Sequence, residues 1–324
     1  MEVKGKTRPH FDEIDIIKGI AMLMVIYGHS FATFPIDIKA GFSNDIQRCI
    51  TSFDLGLFFC ASGFLFSLKD SWLVFLKKKA QRIVVPYIFF CCLDVTARHL
   101  FASFTKSHKL ENIFFVILNG EQYWFLHTLF FILILMKLLN GKQMLGIPLL
   151  LLTIILSLTS IRSCKILHLG NIIIFFPYFY MGYLMRLHYV HLKNYLSFLP
   201  LTVLFLMLAI ISYYFGKHSP VVIYYVYPVI SILFVWGISL KINHYLPRLK
   251  TILSHFGKYS LQYYLNHLLI MLVAFYVTYY ISLFGGIRIP IIHLLSCFLS
   301  AIAISYAMLV VEKQSKYLRM LCGL

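Results

Sequence analysis

Apolar runs of about 20 residues recur along this chain, and that is the length of α-helix needed to cross a hydrocarbon core of about 30 Å. They lie near residues 14–34, 50–68, 83–104, 122–138, 144–160, 171–187, 196–215, 221–240, 259–283 and 289–311. Of the 324 residues 60% are hydrophobic and 13% charged, with mean hydropathy +0.82. A soluble domain carries about 25% charged residues, so that class is excluded. The expected fold class is all-α, a polytopic membrane helix bundle of about ten transmembrane helices. One integral membrane domain covers residues 1–324, with short tails at about 1–13 and 312–324.

The net charge of +17 raises the question of nucleic acid, and its distribution answers it. With both termini placed in the cytoplasm, 19 of the 29 Lys and Arg fall on the inner side and 8 on the outer. This is the positive-inside pattern, so the basic excess sets orientation and no nucleic-acid partner is expected. The surrounding partner is membrane lipid. The 7 cysteines show no paired spacing, which indicates neither a disulfide framework nor a metal site. The first apolar run is long and holds Lys18, unlike a cleavable signal. The connections near 35–49, 69–82, 105–121 and 241–258 read as loops, which leaves chemistry to the bundle and its rims.

Four patterns exceed generic hydrophobicity. In EIDIIKGIAMLMVIYGHS, Lys18 and His29 are ionisable residues in a membrane span, where such groups mark function by default. Eleven residues make about three helical turns plus roughly 20°, so both share one face about 16 Å apart along the axis. In FDLGLFFCASGFLFS, Ser62 and Gly63 interrupt an apolar run, and small residues also let helix backbones approach closely. In FLKKKAQRIVVPYI, the basic residues Lys77, Lys78, Lys79 and Arg82 precede Pro86, a pattern that suits lipid head groups or the phosphates of a soluble cofactor. In FGKYSLQYYLNHLLI, Tyr263, Tyr264, Asn266 and His267 are polar groups within a span.

In order and spacing these segments, with YWFLHTLFF and YFYMGYLM, resemble the acyltransferase-3 family of bacterial inner-membrane acyltransferases. The likeness is greatest to its sugar O-acetyltransferases related to fucose 4-O-acetylase. The resemblance implies that Lys18 and His29 match the family's basic residue and catalytic His, with ten residues between them. It implies that Lys79 and Arg82 handle acyl-coenzyme A, that Ser62, Gly63 and Tyr264 belong to the donor side, and that Trp124 and His267 match further family positions. Lysine at 18 and 79 lacks the bidentate fork of arginine, so phosphate is met there as a point charge. The implied donor is acetyl-CoA, a substrate and not a resident cofactor. The implied acceptor is a sugar hydroxyl of a surface polysaccharide or its lipid-linked precursor.

The residues read on their own suit that chemistry. The second span runs opposite to the first, so Asp54 reaches a depth similar to His29. An imidazole with a carboxylate behind it is a general base, with Asp54 fixing the tautomer. Direct transfer and a transient acyl-histidine both fit. His267 is a second acid/base candidate. His127, Trp124 and Glu121 are candidates for acceptor binding, although Trp124 alone is also an ordinary interfacial anchor. Asp94 and Arg98 are spaced to pair on one helix. A secondary transporter or flippase is the alternative reading, and a structural partner in polysaccharide export a third.

Overall fold

The computed structural model describes residues 10–32, 47, 49–100, 113–119, 121–164, 166–196, 199–215, 221–280 and 290–324. They are helical throughout, with no strand among the described residues. In lipid the backbone must satisfy its own hydrogen bonds, and helices do so within one segment. The helices are α1 (Asp12–Ala32), α2 (Asp54–Phe64), α3 (Trp72–Lys79), α4 (Val85–Leu100), α5 (Ile113–Asn119), α6 (Trp124–Leu139), α7 (Gln143–Ser157) and α8 (Leu169–Leu187). They continue as α9 (Tyr189–Tyr195), α10 (Leu199–Phe215), α11 (Val221–Tyr245), α12 (Pro247–Lys258), α13 (Ser260–Tyr280), α14 (Pro290–Gln314) and α15 (Lys316–Leu321).

Among the described residues, four helices are individually long and apolar enough to cross a membrane: Trp72–Ala97, Ile166–Leu187, Tyr225–Tyr245 and Ile291–Gln314. Tyr189–Tyr195 and Pro200–Tyr214 together make a fifth candidate, and Cys49–Phe64, Trp124–Leu139 and Gln143–Ser157 are shorter apolar helices. Large apolar side chains stand exposed in rows, among them Leu151, Leu152 and Ile155 on α7 and Leu295 and Leu299 on α14. Contiguous apolar surface of this kind suits lipid and not water.

Helix α1 sits at the centre, packed by α2, α11, α12, α13 and α14. It meets α12 at backbone distance: a Cβ on Gly257 would lie 1.7 Å from the Asp15 carbonyl oxygen, and one on Gly19 would lie 2.0 Å from that of Leu253. Helices α2 and α8 touch the same way, Gly63 against the Phe179 carbonyl and Gly182 against that of Cys60. The interruption in the second apolar run is thus a helix contact in which only glycine leaves room.

Three stretches expected as loops hold helices: 69–82, 241–258 and, within 105–121, Ile113–Asn119. Residues 69–82 were read as a connection because of their lysines, yet Trp72 begins a helix that continues into α4 through a π-helical turn at Ala80–Val84. Pro86 lacks an amide hydrogen, and the wider turn shifts the hydrogen-bond register ahead of it, with the Val85 N–H bonding the Ala80 carbonyl. Residues 247–258 form α12, opened by Pro247 at its first position. Arg248 and Lys258 are exposed and Lys250 pairs with Asp12 of α1, while Leu253 and Gly257, one turn apart, are buried on α1. The expected tail is also ordered: the Gln262 side chain donates to the Cys322 carbonyl at 2.7 Å, and Gly323 packs on the Arg82 carbonyl and Pro86.

Candidate active site

Helices α1 and α2 run antiparallel, which fixes two ends. At one end the Phe11 and Phe64 rings meet edge to face at 5.3 Å. At the other, His29 and Asp54 line one cavity of about 130 Å³ together with Gln122, Trp124, Phe125 and Tyr264. The last turns of α1 are held there by the Gln47 side chain, which donates to the Gly28 carbonyl at 2.9 Å, and by Ser30, whose hydroxyl donates to the Ile26 carbonyl. His29 therefore projects from a braced helix end. Gln122 and Phe125 were not singled out from sequence, since a glutamine beside an aromatic cluster has no distinctive spacing.

Asp54 is buried at the first position of α2 and accepts the Leu55 backbone N–H at 2.6 Å. No hydrogen bond joins it directly to His29 among the described residues. The same carboxylate also lines a second cavity of about 140 Å³, so it forms a wall shared by two chambers.

His267 comes from α13 and is fully buried, its ring centroid 5.2 Å from that of His29. Its Nδ1 lies 2.7 Å from the Tyr264 carbonyl and 3.2 Å from that of Tyr263. Carbonyls only accept, so Nδ1 carries the hydrogen and Nε2 keeps its lone pair. That Nε2 is buried and unpartnered. Tyr264 shares the His29 cavity and packs on Phe125 at 5.3 Å. Asn266 turns the other way and donates to Glu312 at 3.0 Å, tying α13 to α14.

The remaining sequence candidates separate. Lys18 pairs with Asp15 at 2.8 Å, nearer the Phe11 end of α1 than His29 by about 16 Å of helix rise. Contacts link that end to the basic cluster: Gly257 against Asp15, Gln262 to Cys322, and Gly323 on Arg82. Arg82 is exposed, and Lys79 lies half-buried with its ammonium 5.8 Å from the Phe75 ring. Ser62 and Gly63 sit near the Phe64 end of α2, roughly 12–14 Å of helix rise from Asp54. His127 packs on Phe131 and His168, away from the cavity lining. The side chains of Glu121 and Arg98 lie outside the described ones, and Asp94 is buried.

The Phe11 end is cationic. A cavity of about 390 Å³ there is lined by Phe11, Phe64, Ser67, Lys69, Tyr183 and Arg186, with the Arg186 guanidinium 4.0 Å over the Phe11 ring. Nearby, burial and then the charges of Lys313 and Lys258 hold the His255 imidazole below its ordinary pKa. Lys69 and Arg186 escaped the sequence reading because they lie far apart in the chain and meet only in the fold.

Residues 11–310 match the model of the Acyl_transf_3 family, described as an acyltransferase domain. The chain belongs to the acyltransferase-3 family. The match covers every helix from α1 to most of α14, including both cavities at the His29 end and the cationic end. Comparison with curated proteins and with solved structures gives no match. Family membership and the exposed apolar helices together make this a multi-pass membrane protein of an acyltransferase family.

Proposed function

We propose that this acyltransferase-3 protein is an O-acetyltransferase of the bacterial inner membrane, akin to the fucose 4-O-acetylase branch. In this reading it spans about ten times with both termini cytoplasmic. It moves acetyl from acetyl-CoA to a hydroxyl of a surface-polysaccharide sugar or its lipid-linked precursor. The observation that carries the reading is the shared cavity of His29 and Asp54, roofed by aromatics and opposite a cationic end.

The coenzyme phosphates meet Lys79 and Arg82, supported by Lys69 and Arg186, while the thioester arm runs along α1 past Lys18. At the far end His29 takes the proton from the acceptor hydroxyl as its oxygen attacks the thioester carbonyl carbon. The C–O bond forms, the C–S bond breaks, and the coenzyme thiolate leaves and receives the proton from the His29 imidazolium. Asp54 faces the same cavity as His29 and sets the position of the acceptor from its wall. His267, fixed by two carbonyls, keeps an unpartnered Nε2 on a ring that lies against that of His29.

The test is incubation of the purified protein with acetyl-CoA labelled in the acetyl group and an envelope extract of the producing cells. Label appearing in a glycan or glycolipid, 42 Da heavier per group by mass spectrometry, is the expected result. Label that stays wholly on the coenzyme would reject enzymatic transfer and favour a transporter.

A further inference from the structure

The chamber on the other side of Asp54 carries a chemistry that the transfer step alone does not use. Its wall combines Arg162, Tyr178 and Tyr225 with Thr51, Ser52 and the shared Asp54. Phe175 and Tyr178 present ring surface, their centroids 6.3 Å apart. Aromatic faces beside hydroxyls and a carboxylate suit a sugar ring, with its apolar C–H face and polar edge. The chamber adjoins the His29 cavity through Asp54 and Leu55, which line both, and through Trp124 and Phe175, whose rings lie 5.6 Å apart.

Arg162 is the unusual member. It sits in a short 3-10 turn, Ser160–Ser163, capped by Thr159, whose hydroxyl accepts the Ile161 N–H at 3.3 Å. Gly170 packs so tightly beneath it that a Cβ there would lie 2.1 Å from the Arg162 carbonyl oxygen. The backbone that carries the guanidinium is therefore held in place. Arg162 makes no ion pair with Asp54 among the described residues, although both line the chamber. A planar fork with five donors meets a carboxylate or phosphate through two parallel charge-assisted hydrogen bonds, a match that a single neutral hydroxyl does not offer.

Resting on the O-acyl transfer reading, we infer that this chamber seats the acceptor sugar and that Arg162 selects an acceptor carrying an anionic substituent next to the acylated ring. Asp54, on the wall between the chambers, accepts a hydrogen bond from a neighbouring hydroxyl of the sugar, which holds the reacting hydroxyl toward His29. The anion is a carboxylate, as in a uronic acid, or a phosphate ester. Both offer the same pair of oxygens to the fork.

The experiment uses the full-length protein in nanodiscs with labelled acetyl-CoA and envelope extract. The labelled product, cleaved to the acetylated sugar with its neighbouring residues still attached, is run on an anion exchanger before and after phosphatase. Retention throughout marks a carboxylate, and retention lost after phosphatase marks a phosphate. In parallel, Arg162→Ala raises the extract concentration for half-maximal rate about 10- to 100-fold, as expected for loss of a charge-assisted contact, and Arg162→Lys restores part of it. A neutral acetylated sugar, or an Arg162→Ala protein with wild-type acceptor dependence, overturns the inference and leaves Arg162 as a lipid-facing anchor. Absence of label transfer by the wild-type protein instead removes the transfer reading on which it rests.

Discussion

The imidazoles of His29 and His267, which lie 238 positions apart in the chain, stand 5.2 Å apart between ring centroids with their planes tilted by 57°. Helix α1 supplies the first to a cavity, and α13 supplies the second fully buried behind it. Because Nδ1 of His267 is committed to the Tyr263 and Tyr264 carbonyls, the ring cannot turn freely. It is a fixed neighbour against which the His29 ring is positioned.

His267→Ala is therefore expected to lower kcat roughly 10- to 100-fold through misplacement of His29. The KM for acetyl-CoA should stay near wild type, because the proposed phosphate contacts lie at the other end. Steady-state kinetics with both substrates varied separates these. A rise in donor KM with unchanged kcat would move His267 to donor binding.

Changing Lys79 and Arg82 together to alanine should act in the opposite sense. These residues stand at the cationic end, away from the reacting atoms, so their loss weakens coenzyme binding in ground and transition state alike. Donor KM rises and acceptor dependence is little altered. An unchanged donor KM would return the cluster to setting membrane topology.

The glycine contacts give a stability test independent of activity. Gly257→Ala puts a methyl group 1.7 Å from the Asp15 carbonyl, a backbone atom that cannot swing aside. Overpacking of this kind costs about 1–3 kcal/mol or more. Gly56→Ala meets the flexible end of Ile232 at 3.2 Å and the Tyr178 ring at 3.6 Å, an ordinary contact, and should cost much less. Thermal midpoints in detergent should rank wild type, Gly56→Ala, then Gly257→Ala. Equal midpoints would mean that α12 does not lie on α1 as described.

Reporter fusions after residues 75 and 250 should read cytoplasmic, and fusions after 42 and 110 periplasmic, as the lysine and arginine distribution requires. The reverse pattern at either pair would break the ten-span arrangement and the placement of acetyl-CoA at the cytoplasmic end.

The shared cavity of His29 and Asp54 could be anticipated because helix rise is constant. Two antiparallel helices of known start place their residues at calculable depths. The helices at 72–82 and 247–258 could not, because charge-rich stretches look like loops when judged by hydropathy. Only the spacing of Leu253 and Gly257 betrays the buried stripe of α12. Residue chemistry alone placed His127 beside Trp124, and both rings do pack on His168, a neighbour with no signal in the sequence, although only Trp124 also lines the His29 cavity. Arg162, Arg186 and Gln122 were invisible for a different reason: their neighbours are assembled by tertiary packing between distant segments.

The claim that His29 is the base is tested most directly by His29→Ala in membranes, with abundance matched to wild type by immunoblot and transfer followed with labelled acetyl-CoA. An imidazole general base contributes about 10²–10⁴-fold to rate, so transfer should fall by that factor while insertion and abundance hold. Asp54→Asn should lose less, since the His29 imidazole remains. A His29→Ala protein of normal abundance that still transfers acetyl at close to the wild-type rate would contradict the account.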